Sequence, residues 1–169
     1  MAPISVLAFD LDHFKAINDE SGHATGDAVL QHFAKVARET LRATDIIGRM
    51  GGEEFVALLP STAAEAAVAA ERVRAAFAAA SIVRNGRRIA ATVSIGVASG
   101  SPATAIDLLI TRADDALYRA KGNGRNRVAV AGSPAEMPAS HGQAAGVPRK
   151  RRRKEEGAVT NGAPESCIA

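Results

Sequence analysis

The chain has 169 residues, of which 47% are apolar, 23% charged and 4% aromatic, enough apolar residues for one domain with a buried core. No apolar run approaches the ~18 residues that span a bilayer, no secretory leader opens the chain, and a single cysteine excludes an internal disulfide. We therefore expect a cytoplasmic protein with no membrane segment. The net charge of +3 depends on the basic run RKRRRK at 149–154, without which the charge would be negative.

Short apolar runs alternate with longer amphipathic stretches up to about residue 131. In chain order the pattern predicts a strand at 4–11, a helix at 26–41, a hairpin of strands 45–50 and 53–59, a helix at 63–80 capped by Ser61 or Thr62, a hairpin of strands 82–83 and 89–97 around Asn85-Gly86, a helix at 104–121 and a strand at 127–131. This order indicates an α+β domain, with helices packed on a mainly antiparallel sheet. Residues 132–169 offer no apolar face, so we expect this tail to be disordered.

The first motif with chemical content is FDLDHFKAIND at 9–19. Asp10 and Asp12 lie two residues apart at the end of an apolar strand and therefore point to the same side. Acids beside a buried strand are costly unless the strand end is open or the acids bind a cation. An isolated D-x-D more often marks a strand that ends in a polar turn, and the position of Asp12 favours a structural hydrogen bond over a metal contact.

The second motif is GGEEF at 51–55. A Gly-Gly turn permits positive φ and a close approach of the backbone to a ligand. The adjacent carboxylates of Glu53 and Glu54 repel each other, so either a cation or a solvated hairpin tip must relieve them.

The third motif is the basic end of the last predicted helix, which runs from Lys121 to Arg127 and contains two glycines. Basic residues and glycines at this position are explained by helix capping alone, but Lys and Arg are also the usual partners of phosphate oxygens. Together the three motifs suggest a site where carboxylates hold divalent metal and a basic helix end holds phosphates, as in phosphoryl or nucleotidyl transfer.

The ordered series of motifs resembles the GGDEF family of bacterial diguanylate cyclases. It comprises FDLDHFKAIND, then GHATGD at 22–27, RATDIIGRMGGEEF at 42–55, SIGVA at 94–98 and ADDALYRAKGNGRN at 113–126. The resemblance covers residues 4 to about 131. It implies a five-stranded, antiparallel-centred sheet wrapped by helices, similar to the palm of nucleotide cyclases and polymerases. It also implies condensation of two GTP into cyclic di-GMP by a homodimer, with release of two pyrophosphates.

The resemblance further implies a role for each matching residue. Mg²⁺ or Mn²⁺, two ions per active site, would be held by Asp10, the Leu11 carbonyl, Glu53 and Glu54, and Glu53 would also accept the proton of a ribose 3′-hydroxyl. The phosphates would be bound by the amides of His13 and Phe14 and by the side chains of Lys15, Lys121 and Arg125, with Lys15 stabilising the transition state. Guanine would be bound by Asn18 and Asp27, with His23 close by. Each of the last three has an alternative as an ordinary loop, turn or cap residue.

Arg42 and Asp45 form an R-x-x-D pattern similar to the family's inhibitory product site. The alternative is an i,i+3 pair that closes the first long helix. Family members also carry a helix and a D-x-L-T-G-L-x-N-R stretch before the first strand, and usually an upstream sensory or dimerising module. This chain shows neither, which leads us to expect exposed apolar sheet surface.

Three functions are therefore weighed from the sequence. The first is an active diguanylate cyclase, and the second a non-catalytic domain that binds GTP or cyclic di-GMP as a regulatory module. The third is a binder of nucleic acid or an anionic surface through the basic run at 149–154. We disfavour the third, because Glu155 and Glu156 dilute the positive charge of that run.

Overall fold

The computed structural model describes residues 3–84 and 86–132, and all structural statements below concern these residues. The strands are β1 (Ile4–Leu11), β2 (Ile46–Gly51), β3 (Glu54–Leu59), β4 (Ile82–Arg84), β5 (Arg87–Ile89), β6 (Val93–Gly100) and β7 (Val128–Val130). The helices are α1 (Phe14–Ser21), α2 (His23–Thr40), α3 (Ala63–Ala79) and α4 (Ile106–Gly122). Asn85 of the expected turn and all but one residue of the expected disordered tail, including 149–154, lie outside the described residues.

The central sheet has five strands in the order β2-β3-β1-β6-β7. Every neighbouring pair is antiparallel except β6 and β7, which are parallel. Strands β4 and β5 form a separate two-stranded sheet. The mainly antiparallel α+β domain expected from the sequence is thereby confirmed. None of the helices in the described ranges has the length and apolarity needed to cross a membrane.

One face of the sheet is covered by α2 and α3. Alternate residues of β1, β3 and β6 point to this face, where they join buried side chains of both helices in the larger hydrophobic core. Phe33 of α2 lies at its centre, with ring centroids 5.6 Å from Phe9, 4.8 Å from Phe55 and 5.1 Å from Phe77. These tilted and edge-on contacts are the favourable arrangements for aromatic rings.

The other face is covered by α4, which packs on Val6, Ala8 and Ala98. Helix α4 approaches β6 so closely that a Cβ at Gly96 would collide with the backbone of the helix. On the same side of the sheet, Ile46 and Met50 of the edge strand β2 remain 66% and 63% exposed. Ile46 and Met50 therefore leave apolar sheet surface exposed beyond α4.

The structure adds one helix, corrects two predicted elements and decides between two predicted caps. Helix α1 was not predicted, because its eight residues contain few apolar positions, and α2 begins at His23 rather than at residue 26. The expected long strand at 89–97 is two strands, β5 and β6, with a break at 90–92. The cap of α3 is Thr62, which forms a capping box with Glu65.

Candidate active site

The carboxylate motifs meet at one end of the central sheet. Asp10 near the end of β1 lies opposite Glu54 at the start of β3, and the amide of Leu11 donates to the carbonyl of Glu53 at 3.4 Å. Residues directly opposite on antiparallel strands point to the same face. The pairing therefore brings the start of the first motif beside the Gly-Gly-Glu-Glu turn.

The turn itself is held by an arginine. Gly52 has a φ of 52°, a left-handed conformation that glycine adopts without strain. The Nε and Nη2 atoms of Arg49 both donate to the Gly52 carbonyl, at 2.9 and 2.6 Å. Arg49 thus fixes the backbone immediately before Glu53 and Glu54.

Asp10 is a buried carboxylate, 6% exposed, whose Oδ2 lies 2.6 Å from Nζ of Lys121 on α4. Burial raises the pKa of Asp10 above its ordinary value. The ammonium of Lys121 opposes this rise, while the negative charges of Glu53 and Asp12 add to it. The basic end of α4 and the acidic end of β1 are therefore in direct contact, a relation that the sequence alone did not reveal.

Asp12 makes structural hydrogen bonds, as its position in the sequence predicts. It is 4% exposed and accepts from Oγ1 of Thr92 and Oγ of Ser94, both at 2.7 Å, and from the amide of Asn126 at 3.0 Å. These donors occupy its oxygens and leave Asp10 as the strand-borne carboxylate that faces Lys121.

Helix α1 starts at the same end of the sheet, directly after β1. His13 precedes the helix with a φ of 57°, Phe14 is buried and Lys15 is exposed. The first amides of a helix have no partners within it and attract anions, assisted by the helix dipole. His13, Phe14 and Lys15 thus present backbone donors and one ammonium beside the carboxylates.

The residues expected to bind guanine meet where α1 joins α2. The side chain of Asn18 lies against Gly26, so tightly that a Cβ at Gly26 would collide with it. Asp27 follows Gly26 and lines a cavity of about 340 Å³ with Leu30 and Phe55. His23, exposed, is the first residue of α2. The structure therefore places Asn18 against Gly26, the residue before Asp27, and His23 about one helical turn before Asp27.

Arg42 and Asp45 lie in the loop between α2 and β2, at the end of that strand away from the Gly-Gly turn. The helix ends at Thr40, and the amide of Arg42 donates to Oδ2 of Asp45 at 2.8 Å. The alternative of an intrahelical pair is therefore wrong. Both residues line a cavity of about 260 Å³, together with Arg72 and Glu65 of α3.

Comparison with known proteins decides the family. The model of the GGDEF domain, described as diguanylate cyclase, GGDEF domain, matches residues 1–127. The chain belongs to the GGDEF domain family. Among relatives, it is 46% identical over 129 residues to Diguanylate cyclase A of Treponema denticola, covering 75% of this chain and 35% of that protein. It is 48% identical over 128 residues to Diguanylate cyclase DgcM of Escherichia coli, covering 75% of this chain and 30% of that protein.

Solved GGDEF domains share the fold. The GGDEF domain of DgcB from Caulobacter crescentus, in complex with c-di-GMP, superposes with a TM-score of 0.73 at 35% identity, covering 77% of this chain and 78% of that one. The active GGEEF domain of a diguanylate cyclase from Vibrio cholerae gives 0.71 at 36% identity, covering 78% and 85%. By contrast, the chain spans about a third of the two full-length relatives named above.

The donor set of this GGDEF domain fits a hard divalent cation. Asp10, Glu53 and Glu54 supply carboxylate oxygens, and Leu11 supplies a carbonyl, the ligand types that Mg²⁺ prefers. The described residues contain no cluster of three acidic, histidine or cysteine side chains close enough to hold an ion unaided. In proteins, Mg²⁺ is usually held by one or two carboxylates together with substrate phosphates.

The sequence analysis missed two supporting residues, Arg49 and Asn126. Arg49 stands directly before Met50 and the Gly-Gly pair, so a donor at the base of the turn could have been suspected. Asn126 follows Arg125, and its backbone adopts the left-handed conformation that Asn tolerates better than most residues. Its partner Asp12 lies far away in the sequence, so only the fold reveals the contact.

Proposed function

We propose that this chain is the catalytic domain of a diguanylate cyclase. It joins two GTP molecules into cyclic di-GMP, releases two pyrophosphates and acts as a homodimer. The observation that carries the proposal is the contact of Lys121 with Asp10 beside Glu53 and Glu54, at 2.6 Å. One end of the sheet thereby offers carboxylates for a cation and a basic helix end for phosphates.

In the proposed reaction, the 3′-hydroxyl oxygen of one GTP attacks the α-phosphorus of the other. The new phosphodiester bond forms as the bond between the α-phosphorus and the bridging oxygen breaks, and pyrophosphate leaves. Glu53 takes the proton of the hydroxyl. The same step on the second nucleotide closes the ring, so two domains must face each other, and their alignment supplies much of the rate enhancement.

Each of the remaining residues has a binding role in this proposal. Asp10, Glu53, Glu54 and the Leu11 carbonyl would hold two Mg²⁺ or Mn²⁺ ions, which neutralise charge on the triphosphate when bound. The amides of His13 and Phe14, with Lys15, stabilise the transition state, while Lys121 and Arg125 bind the outer phosphates. Asn18 and Asp27 hydrogen-bond the guanine edge, with His23 close by. These hydrogen bonds select guanine over adenine.

The experiment is incubation of the full chain with GTP and Mg²⁺. We expect cyclic di-GMP and pyrophosphate in a 1:2 ratio, set by the reaction's stoichiometry. Replacing Glu53 by Gln keeps its size and removes the base, so turnover should fall by about 10²-fold or more. The matched control is Glu39→Gln, an exposed acid paired with Lys35 on α2. Full turnover in Glu53→Gln would contradict the assignment.

We further propose that Arg42 and Asp45 form a product site through which cyclic di-GMP inhibits the enzyme. The cavity that they line contains a second arginine, Arg72, so two cations face one anionic ligand. Arg42→Ala should weaken the binding of cyclic di-GMP measured by calorimetry, whereas Arg112→Ala on α4 should not. Equal affinity in the two variants would remove this site from the proposal.

The second candidate is a domain that binds GTP or cyclic di-GMP without turnover. The cavity at Arg42 and Asp45 favours it, because that cavity lies away from the Gly-Gly turn and does not need Glu53. Tight binding of cyclic di-GMP with no product from GTP would support this candidate over the first. In either case we expect an upstream sensory or dimerising module to set the pairing of two domains.

A further inference from the structure

The turn that follows α4 has an unusual backbone. Gly124, Arg125 and Asn126 have φ values of 106°, 58° and 45°, so three consecutive residues are left-handed. Glycine adopts this conformation freely and asparagine with little strain, but an arginine adopts it rarely. Such a conformation persists only where the surroundings fix it, and it is concentrated at functional sites.

Asn126 is held from two sides. Its backbone N–H donates to Oδ2 of Asp12 at 3.0 Å, and its side-chain Oδ1 accepts from Nη1 of Arg74 at 2.8 Å. Asp12 directly follows β1, whereas Arg74 belongs to α3. The turn is therefore tied both to the sheet and to a helix on the opposite side of the sheet from α4.

Asp12 is the firmer of the two anchors. It is 4% exposed, and hydroxyl groups of Thr92 and Ser94 hold its carboxylate at 2.7 Å each. Hydrogen bonds to an ionised, buried acceptor are short and strong. Because Thr92 and Ser94 flank the start of β6, Asp12 cannot turn without breaking contacts to the sheet.

Arg74 is the second anchor and is itself fixed. Its guanidinium donates to both carboxylate oxygens of Glu71, at 2.6 to 2.9 Å. A planar guanidinium whose Nε and Nη2 are held in this way has a fixed orientation. Its remaining nitrogen, Nη1, therefore points at the side chain of Asn126.

We propose that Asp12 and Arg74 form a clamp on Asn126 that positions the neighbouring Arg125 for the outer phosphates of GTP. The inference rests on the proposed function, in which Arg125 is a phosphate ligand. Arg125 lies between Lys121, whose Nζ contacts Asp10, and the clamped Asn126. The amide of Arg125 donates to the Ala120 carbonyl at 3.1 Å, which ties the turn back to α4. The left-handed backbone of Arg125 then sets the direction in which its side chain leaves the turn.

The test compares the affinities of the full chain for GTP and for GMP, which lacks the outer phosphates. Asp12→Asn should weaken GTP binding on the order of tenfold to a hundredfold, as the loss of a supporting contact commonly does, and leave GMP binding unchanged. Arg74→Met, a partly exposed position, should have the same selective effect if Asp12→Asn fails to fold. The matched control is Asp107→Asn, an acid in the first turn of α4.

A double variant separates positioning from general destabilisation. If Asp12 acts through Arg125, then Asp12→Asn adds nothing to the loss caused by Arg125→Ala. Equal losses for GTP and GMP, or additive losses in the double variant, would overturn the clamp.

Hydrogen exchange of the Asn126 amide gives a readout independent of nucleotide. Asp12→Asn replaces one of the two acceptor oxygens by an NH2 donor, so three donors compete for one oxygen. Exchange of the Asn126 amide should therefore become faster, while Asp107→Asn leaves it unchanged. If the unaltered chain binds no GTP, the proposed function fails, and the clamp is still judged here. Unchanged exchange in Asp12→Asn would overturn the clamp whatever the nucleotide does.

Discussion

The two faces of the central sheet are built differently. The face under α2 and α3 contains Phe33 and the three phenylalanines that surround it, and its side chains are almost entirely buried. The face under α4 is lined by small residues, Ala8, Gly96 and Ala98, and leaves Ile46 and Met50 of β2 exposed. One face has a thick aromatic core, whereas the other has a single close-packed helix.

The difference indicates a division of labour. Large apolar side chains supply most of the burial free energy, at roughly 25 cal/mol per Å², so the aromatic face secures the fold. Small residues let α4 approach β6 closely, and this approach carries Lys121 to the carboxylate of Asp10. The face under α4 therefore positions the candidate site, and the face under α2 and α3 stabilises the fold that holds it.

The largest effect on stability should come from the aromatic face. Phe33→Ala removes a fully buried ring that contacts three others, and should lower the free energy of unfolding by about 3–5 kcal/mol. Tyr118→Ala on the α4 side is the comparison, because Tyr118 is 79% exposed and should change stability by less than about 0.5 kcal/mol. Urea unfolding measures both. Similar losses in the two variants would mean that the faces do not differ as described.

The next largest loss of stability should come from the face under α4. A Cβ at Gly96 would meet the carbonyl of Ala113 and the amide of Leu117, which are backbone atoms that cannot rotate away. Gly96→Ala should therefore displace α4 and cost about 1–3 kcal/mol. It should also weaken GTP binding, because Lys121 moves with the helix. Gly48→Ala is the matched control, since its Cβ would meet nothing within 4 Å. Equal stability of the two variants would contradict the close approach of α4.

Sequence patterns predicted the longer elements, because period and motif are local properties. Helix α1 escaped prediction because its stability comes from packing on α2, where Phe14 and Asn18 lie against Gly26. The break between β5 and β6 carries no Gly or Pro, so the strand pattern appeared continuous. The parallel pairing of β7 depends on the whole topology, which local pattern does not record.

Contacts within the candidate site were also beyond what local sequence patterns record. The motifs named the acids and the basic helix end, but Asp10 and Lys121 lie at opposite ends of the domain's sequence, so their contact required the fold. Asp12 was correctly expected to make structural hydrogen bonds, yet its partners Thr92, Ser94 and Asn126 could not be named. The catalytic, metal-binding and nucleotide-binding roles of all the predicted site residues stay predictions.

The smallest change in stability should come from the first turns of α3 and α4. Helix α3 has a capping box in which Glu65 accepts from Thr62, whereas α4 has no side-chain cap. Hydrogen bonds from the backbone and hydroxyl of Thr62 lower the pKa of Glu65 below its ordinary value of 4.5. The stabilisation is therefore present above pH 4.5 and is lost as the pH falls through the lowered pKa.

Glu65→Gln should accordingly lower the melting temperature at pH 7 and have a smaller effect at pH 3. Asp107→Asn, in the first turn of α4, which has no side-chain cap, is the matched control. Thermal unfolding of the three proteins at both pH values measures the difference. If Glu65→Gln lowers the melting temperature as much at pH 3 as at pH 7, the ionised carboxylate of Glu65 does not stabilise α3 through the capping box.

The most direct test of the central claim is the binding of Mn²⁺ in the presence of GTP, followed by electron paramagnetic resonance. Asp10 is the buried carboxylate beside Lys121, and we propose that it binds the cation. Wild type should bind Mn²⁺ more tightly with GTP than without it, and Asp10→Asn should weaken this binding by about tenfold or more. Mn²⁺ affinity that is unchanged in Asp10→Asn would contradict the claim that these carboxylates hold the cation.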